Sequence, residues 1–328
     1  MGRLLSGLLT AATLLWAEGP NRCNSGSMTV VFENDVFYGN DRHYTNGLMV
    51  AWVPDQPRTP GWIEKLANTI PWNRERYTIC YGFAIGQNMY TPSDITLSDP
   101  PLNDRPYGGW TYMTTGIAIE RGNHLGQLTL SAGWVGPSSK ADRTQIELHQ
   151  LIDSEKPKGW EHQIGDEPGL ILAYQHTWRQ FASGLHGGNE LDLMPHAGFA
   201  LGNVYTYANA GMTIRYGSGL QKDYGPLRIQ PAPPGSGAIG AGSKKRVRWY
   251  LFAGMDIRAV ARNIFLDGNT FKSSRSVEKE PIVADWQSGV SIAYKKVRFS
   301  YVHVYRSKEF AGADDWDDFG AVSLFWFF

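Results

Sequence analysis

Oxygen-bearing side chains crowd the segment 31–47, which reads VFENDVFYGNDRHYTNG. Asn34 and Asp35 are neighbours in it, and Thr45 lies near its end. A strand that only builds a core does not need so many oxygen ligands, so the segment is a candidate for chemistry. The chain has no G-x-S-x-G, H-E-x-x-H or C-x-x-C motif, so serine-nucleophile chemistry has no anchor in the sequence. Any hydrolysis would more naturally use an activated water.

A second candidate group lies much further along the chain. Residues 140–155 carry apolar side chains at helical rather than alternating spacing, which predicts a helix inside a loop. Gln145 lies one turn before His149, so both lie on one face of this helix, and Glu155 follows just past it. An imidazole can accept a proton from water at neutral pH. A single histidine on a helix is also often structural, and the spacing alone leaves both interpretations open.

The elements that must position these groups are mostly strands. Residues 246–259, RVRWYLFAGMDIRA, alternate an apolar face with a polar face that carries three arginines, and residues 281–294 repeat the alternation. The strand length and the aromatic content of 13% fit a membrane barrel with aromatic girdles. We therefore predict an all-β fold, a twelve-stranded antiparallel transmembrane β-barrel with a short helix in an extracellular loop. The predicted strands are 28–37, 43–53, 77–88, 108–121, 124–135, 168–182, 189–201, 205–216, 246–258, 281–294, 296–307 and 317–328.

The carboxyl end, DDFGAVSLFWFF, supports the same interpretation. An alternating strand that ends in an aromatic residue resembles the last strand of outer-membrane barrels, which the barrel-assembly machinery reads. A soluble edge strand this apolar would be an aggregation hazard. An even number of strands places both termini on the periplasmic side. The sequence thus predicts the cell outer membrane of a Gram-negative bacterium, with the barrel-assembly machinery as a partner.

The amino-terminal residues, MGRLLSGLLTAATLLWA, predict a secretory signal peptide over residues 1–17. A lead-in over 18–27 and one barrel domain over 28–328, with the loop helix 140–155, complete the chain. Cys23 and Cys80 are the only cysteines. Export permits a disulfide between them, but two unpaired cysteines are also compatible with the sequence. Lys plus Arg and Asp plus Glu number 31 each, so no excess charge points to nucleic acid.

Four blocks in residues 30–170 together carry a resemblance to a known family: END…DRHYTNG, IGQNMYTP, DRPYGGW and LHQLID…PKGW. They resemble the outer-membrane lipid A 3′-O-deacylases. That resemblance implies a twelve-stranded barrel with its active site between the inner barrel wall and a helix from an extracellular loop. It also implies calcium-dependent hydrolysis of the 3′-linked acyloxyacyl chain of lipid A, with Ca²⁺ as cofactor and lipid A, or lipopolysaccharide, as the molecule bound.

Carried over residue by residue, the resemblance implies a catalytic set on two distant segments: Asn34, Asp35, Thr45, Gln145, His149 and Glu155. Asn34, Asp35 and Glu155 would bind Ca²⁺, which polarises the ester carbonyl and takes up the oxyanion charge. His149 would accept a proton from the attacking water. Strict alternation would send Asn34 and Asp35 to opposite faces of their strand, so a bulge or the strand's end must bring both to the metal.

Two departures from the family pattern concern recognition of the substrate's phosphate. The family example has a Lys-Arg pair where this chain reads DITLSDP, and it has a Tyr where this chain has Pro157. Arg105, in the block DRPYGGW, is therefore a candidate substrate contact. The same block also fits a tight entry into a strand, with Trp110 and Tyr112 in an aromatic girdle and Arg105 paired with Asp104.

Two other functions remain open at this point. One is a passive barrel, porin-like or structural, and the other is an outer-membrane phospholipase. Twelve strands enclose a narrow lumen that side chains can largely fill, which disfavours a wide pore. Release of an acyl chain that depends on calcium and on His149 would separate the deacylase from the passive barrel.

Overall fold

The computed structural model describes residues 21–22, 26–35, 43–55, 60–68, 77–182, 189–220, 223–229 and 246–328. The predicted signal peptide, Cys23, Asp41 and Arg42 lie outside these residues. Cys80 is disulfide-bonded.

Twelve long strands, numbered here β1 to β12 in chain order, form one antiparallel sheet. Each pairs with the next strand along the chain, and β12 pairs with β1, which closes the sheet into a barrel. The prediction of a twelve-stranded barrel is therefore confirmed. The strands are Ser27–Asn34, His43–Val53, Thr78–Thr91, Gly108–Arg121, His124–Val135, Glu167–Trp178, Glu190–Gly202, Tyr205–Ser218, Val247–Asn263, Ile282–Tyr294, Val297–Arg306 and Asp317–Phe327.

Short elements lie at the margins of the barrel. A short strand, Asn21–Arg22, pairs in parallel with β3, and another, Gln180–Ala182, pairs with β7. The helices are α1 (Gly61–Asn68), α2 (Ala141–Ile152) and α3 (Ile264–Asp267), with 3₁₀ turns at Pro137–Ser139 and Trp160–His162. The structure confirms the predicted loop helix as α2, whereas α1 and α3 were not predicted.

None of the helices in the described ranges is both long and apolar enough to cross a membrane.

Side chains alternate between the outer face and the lumen along the strands. In β1, Met28 and Val30 are exposed on the outside, while Thr29 and Val31 are buried towards the lumen. The predicted faces of β9, β10 and β12 follow the same rule. Their exposed apolar side chains are Val247, Leu251, Ile257, Ile282, Trp286, Ile292, Tyr294, Leu324 and Trp326. An apolar outer band with a polar lumen is the pattern that a lipid bilayer requires.

One detail of the predicted girdle is wrong. Trp110 and Tyr112 point into the lumen, where both are buried and their rings stack with centroids 4.2 Å apart. The outward residue between them is Thr111, and Met113 is exposed further along the same face. The side-chain period of two therefore places these aromatic rings in the core rather than at the membrane interface.

Ion pairs fill much of the lumen. Asp285 of β10 accepts hydrogen bonds from Arg258 and Arg306, and Arg228 approaches it at 3.1 Å. Arg215 of β8 binds Asp192 in the neighbouring strand. Buried charges persist only when they are paired and hydrogen-bonded. The arginines on the predicted polar faces thus meet carboxylates on neighbouring strands.

A segment between β8 and β9, residues 223–229, enters the lumen and is called here the lumenal segment. At its start, Asp223 accepts a hydrogen bond of 2.6 Å from Arg298 of β11. At its end, the backbone N–H of Ile229 donates to Glu33 of β1 at 2.9 Å. β1 and β11 both pair antiparallel with β12, so they run in the same direction. Arg298 lies at the start of β11 and Glu33 near the end of β1, so the lumenal segment runs along the barrel axis from one end towards the other.

Candidate functional site

Helix α2 packs on the outer face of the barrel wall, above β3 and β4. The main-chain oxygen of Ser139, just before the helix, accepts hydrogen bonds from Gln87 of β3 and Thr111 of β4, each at 2.7 Å. A β-carbon added at Gly109 would meet the side chains of Ala141 and Ser139 at 2.3 Å. Gly109 therefore lets the start of the helix approach the wall closely.

This placement corrects the expectation that the helix faces the inner wall. Gln87 and Thr111 share their strand faces with Ile85 and Met113, which are exposed on the outside. The lumenal faces of the same strands carry Tyr112 and other core residues. The helix therefore lies outside the barrel, on the side that faces the membrane.

A row of buried residues, called here the covered row, crosses the outer face of the wall at the level of Gly109, where α2 begins. Strand register places its members side by side on five neighbouring strands: Gly320, Asn34, Asn46, Met89 and Gly109. All have the outward orientation, yet all are buried. Four residues further from this end of the strands, which is two outward-facing positions, Val30, Ile85 and other apolar side chains are exposed. The covered row thus lies just above the part of the wall that meets lipid.

Asn34 and Asp35 meet the geometric condition set by the sequence. β1 ends at Asn34, and Asp35 follows in a bend, so alternation does not fix the direction of the second side chain. Asn34 has the outward orientation but is only 5% exposed, and Asp35 is also buried. Protein rather than lipid therefore covers both.

Helix α2 turns a polar face to the wall. Ala141, Gln145 and His149 recur every four residues and are buried, whereas Leu151 is 82% exposed. The helix ends at Asp153, which adopts the left-handed conformation and donates its backbone N–H to the carbonyl of His149. Asp tolerates this conformation better than most residues do. The apolar spacing in the sequence predicted the helix, but its buried face is the one that carries Gln145 and His149.

The His149 ring is held by its own loop. Its Nδ1 atom lies 2.5 Å from the main-chain oxygen of Glu155. A carbonyl oxygen can only accept, so Nδ1 carries the proton and Nε2 is the basic nitrogen of the neutral ring. A histidine oriented through one nitrogen and basic at the other is the arrangement that general-base catalysis uses.

The Gln145 amide is held as well. The indole N–H of Trp160 donates to its Oε1 at 2.7 Å. Because an indole can only donate, this contact fixes the amide with its oxygen towards Trp160 and its Nε2 away from it. Trp160 belongs to the block PKGW, but nothing in the sequence indicated that its ring would orient Gln145.

Thr45 and Glu155, two further predicted site residues, lie on different elements. Thr45 lies in β2, and its side chain is outside the described part of the structure. The Glu155 side chain is exposed, and its main-chain oxygen accepts the hydrogen bond that holds His149.

Arg105 is fully buried, with its Nη2 bonded to Glu309 at 2.8 Å and its guanidinium over the rings of Tyr90 and Phe310. Its partner is thus Glu309, while its backbone N–H binds Asp104. The buried guanidinium does not reach the outer face.

The end of β1 offers oxygen donors of the kind that bind a metal ion. Among the described residues, no three His, Cys, Asp or Glu side chains gather closely enough to hold one. A cation here would therefore need amide and main-chain oxygens besides the carboxylate of Asp35. Asn34 and Asp35 are buried neighbours that offer such hard oxygens, and calcium takes amide and main-chain carbonyls as well as carboxylates. The chemistry of the set fits Ca²⁺.

Comparisons with known proteins support this family and fold. The sequence profile of a family described as "Outer membrane protein LpxR" matches residues 4–328. Among solved structures, LpxR from Salmonella typhimurium is 20% identical, with a TM-score of 0.74, covering 92% of this chain and 100% of that one. The β domain of the Bordetella autotransporter BrkA is 8% identical, with a TM-score of 0.43, covering 92% of this chain and 98% of that one. No curated protein matches the chain.

Proposed function

The chain belongs to the LpxR family of outer membrane proteins, the lipid A 3′-O-deacylases, and from this premise we propose that it hydrolyses the 3′-linked acyloxyacyl ester of lipid A in a calcium-dependent reaction. The observation that carries the proposal is the position of His149. A buried, oriented imidazole lies on a helix whose start packs on the outer wall at Gly109, a member of the covered row. An ester presented from the outer leaflet would reach this row sideways, without entering the lumen.

Each residue has a defined part in the proposed reaction. The Nε2 atom of His149 accepts a proton from a water, which attacks the ester carbonyl. Asn34 and Asp35, with Glu155 as the family resemblance implies, would hold a Ca²⁺ that stabilises the oxyanion. Gln145 lies on the same helix face as His149 and aids substrate positioning, and Thr45 completes the set. The alcohol of lipid A leaves with the proton from His149, and the fatty acid is released.

The apolar wall below the covered row suits the acyl chains of such a substrate. Val30, Leu48, Ile85 and Met113 are exposed there on adjacent strands. Acyl chains that stay against this wall remain in the bilayer while the ester reaches the covered row above. Recognition of the phosphate is not assigned to Arg105, because its guanidinium is enclosed and paired with Glu309.

The passive-barrel alternative finds little support in the lumen. Asp285 with its arginines and the lumenal segment obstruct much of it. The phospholipase alternative uses the same groups and differs only in substrate. Acyl release from lipid A and from phospholipid must therefore be measured side by side.

Mass spectrometry of lipid A tests the proposal. Lipid A would be isolated from outer membranes with and without the protein, with calcium or with a chelator. Loss of the 3′ acyloxyacyl group is expected only with protein and calcium, and the variant His149→Ala should abolish it. His162→Ala is a matched control, because His162 is a partly exposed histidine of the same loop. Unchanged lipid A with calcium present, or release of acyl chains from phospholipid instead, would refute the proposed substrate.

A further inference from the structure

Residues 155–160, called here the return segment, follow α2 and run back along it. At one end, the main-chain oxygen of Glu155 accepts the hydrogen bond from His149. At the other end, the indole N–H of Trp160 donates to Gln145, 2.7 Å away. Because His149 lies one helical turn after Gln145, the return segment passes these two residues in reverse order. All of it therefore lies beside the part of the helix that carries the proposed base.

The return segment lies on the extracellular side of the helix. The backbone N–H of Lys158 donates to the main-chain oxygen of Ile95, 2.9 Å away, in the loop that joins β3 to β4. Trp160 packs against Tyr107 of the same loop, with ring centroids 4.8 Å apart. The apolar wall that meets lipid lies in the opposite direction, below the covered row. The return segment is therefore at the level of the polar head of a bound lipid.

Two lysines of the return segment are open to solvent. Lys156 and Lys158 are exposed, whereas Pro157 between them is buried and holds the segment against the protein. Arg275, which also reaches the β3–β4 loop, is paired with the carboxylate of Asp99. The two lysines thus present positive charge beside His149 without being part of the packed core.

One carboxylate, Asp94, lies within electrostatic reach of Lys158. Hydrogen bonds from Thr96 are the main cause of the lowered pKa of Asp94, and the Lys158 ammonium lowers this pKa further. Asp94 is exposed, so water and salt screen its attraction for the ammonium. Lys158 can therefore still bind an anion.

The substrate of the proposed reaction presents an anion at this level. In lipid A, a phosphate group occupies the carbon next to the one that carries the 3′-linked acyl ester, on the same sugar. Acyl chains against the apolar wall leave the sugar and this phosphate above them, beside the return segment. Lysine binds phosphate as a flexible point charge, which suits a pair of exposed lysines on a fixed main chain.

We propose that Lys156 and Lys158 bind the phosphate next to the scissile ester and give the protein a preference for phosphorylated lipid A. This inference rests on the proposed deacylase function. The segment DITLSDP, which has no basic residue, contains Ile95, so the lysines lie directly beside it. Both are positioning residues: they hold the sugar while His149 acts, and they make no bond to the reacting atoms. Because such binding is equal in the substrate and the transition state, it should affect KM rather than kcat.

The test uses the double variant Lys156→Gln, Lys158→Gln and two substrates, lipid A with this phosphate and lipid A from which it has been removed. On the phosphorylated lipid we expect KM to rise about 10-fold or more, as loss of a charged hydrogen bond does, with kcat within about two-fold. On the dephosphorylated lipid, the variant and the wild type should have equal KM. Lys140→Gln is the control, because Lys140 is an exposed lysine at the other end of α2, and it should change neither value.

Three outcomes would overturn the inference. They are an unchanged KM of the double variant on the phosphorylated lipid, an equal rise on both substrates, and a loss of activity that accompanies a lower thermal midpoint. The variant Lys156→Arg, Lys158→Arg keeps both charges and should keep the preference for the phosphorylated lipid. Failure of the proposed function itself would appear in the wild type, as no acyl release from either lipid A.

Discussion

Replacing Glu309 with glutamine should weaken the barrel at neutral pH but not in strong acid. Glu309 lies in the loop between β11 and β12, where it accepts a hydrogen bond from Arg105 and lies 3.6 Å from Arg306. Burial by itself would raise the pKa of Glu309. The guanidinium groups of Arg105 and Arg306 outweigh burial and lower this pKa from 4.5 to about 2.

The size of the effect follows from these two values. The unfolded and folded pKa values of Glu309 differ by about 2.5 pH units, at about 1.4 kcal/mol each, so its ionised form contributes roughly 3 kcal/mol. Because the folded value is the lower one, the contribution is complete above about pH 4.5 and is lost as the pH falls through about 2. Glutamine cannot ionise, so Glu309→Gln should be about 3 kcal/mol less stable at pH 7.

Urea unfolding in detergent micelles at several pH values, followed by tryptophan fluorescence, would measure this difference. It should shrink to roughly half by pH 3 and vanish near pH 2. Asp99→Asn is the control, because Asp99 also binds an arginine, Arg275, but is 72% exposed; an exposed pair contributes at most about 1 kcal/mol. A Glu309→Gln variant as stable as the wild type at pH 7, or a difference that does not change with pH, would refute the reasoning.

Three further predictions concern the site and the lumen. Trp160→Phe should lower activity about 10-fold or more, because the Gln145 amide loses the bond that orients it; a wild-type rate of lipid A hydrolysis would contradict this role. Gly109→Val should displace the start of α2 from the wall, since its side chain would overlap Ala141, and so should abolish hydrolysis while the barrel keeps its heat-modifiable migration in gels. The wild-type protein should pass no steady ion current in planar bilayers, because the lumenal segment and its ion pairs obstruct the lumen; open-channel conductance would show that they leave a continuous path.

The sequence predicted the barrel well because period-two alternation has one physical cause. Each strand must satisfy lipid on one side and a polar lumen on the other, and a shift by one residue reverses both faces. The predicted bounds of β2, β4 and β5 agree with the structure, and β9 runs on to Asn263, past its predicted end. Pro195 lies where pairing of β7 passes from β6 to the short strand Gln180–Ala182.

The site was predicted less completely than the fold. Residue types and spacing pointed to Asn34, Asp35, Gln145 and His149, and the structure buries all four. The side of the wall on which the helix packs depends on contacts such as Gly109 with Ala141, which no local pattern encodes.

Two site features left no usable signal in the sequence. The hydrogen bond from Trp160 to Gln145 joins residues fifteen positions apart in the chain, and no local pattern indicates their pairing. The enclosure of Arg105 likewise depends on Glu309, which lies some two hundred positions later in the chain.

The lumenal segment constrains the order in which the barrel can assemble. It is bonded to β1 through Glu33 and to β11 through Arg298, so it bridges the two sides of the seam at which β12 meets β1. A sheet that closed first would trap Glu33 and Arg298 without these partners inside a sealed wall. We therefore expect the lumenal segment to enter the lumen before β1 and β12 pair. Closure of the seam between these two strands would then be a late step of folding that follows the placement of the segment.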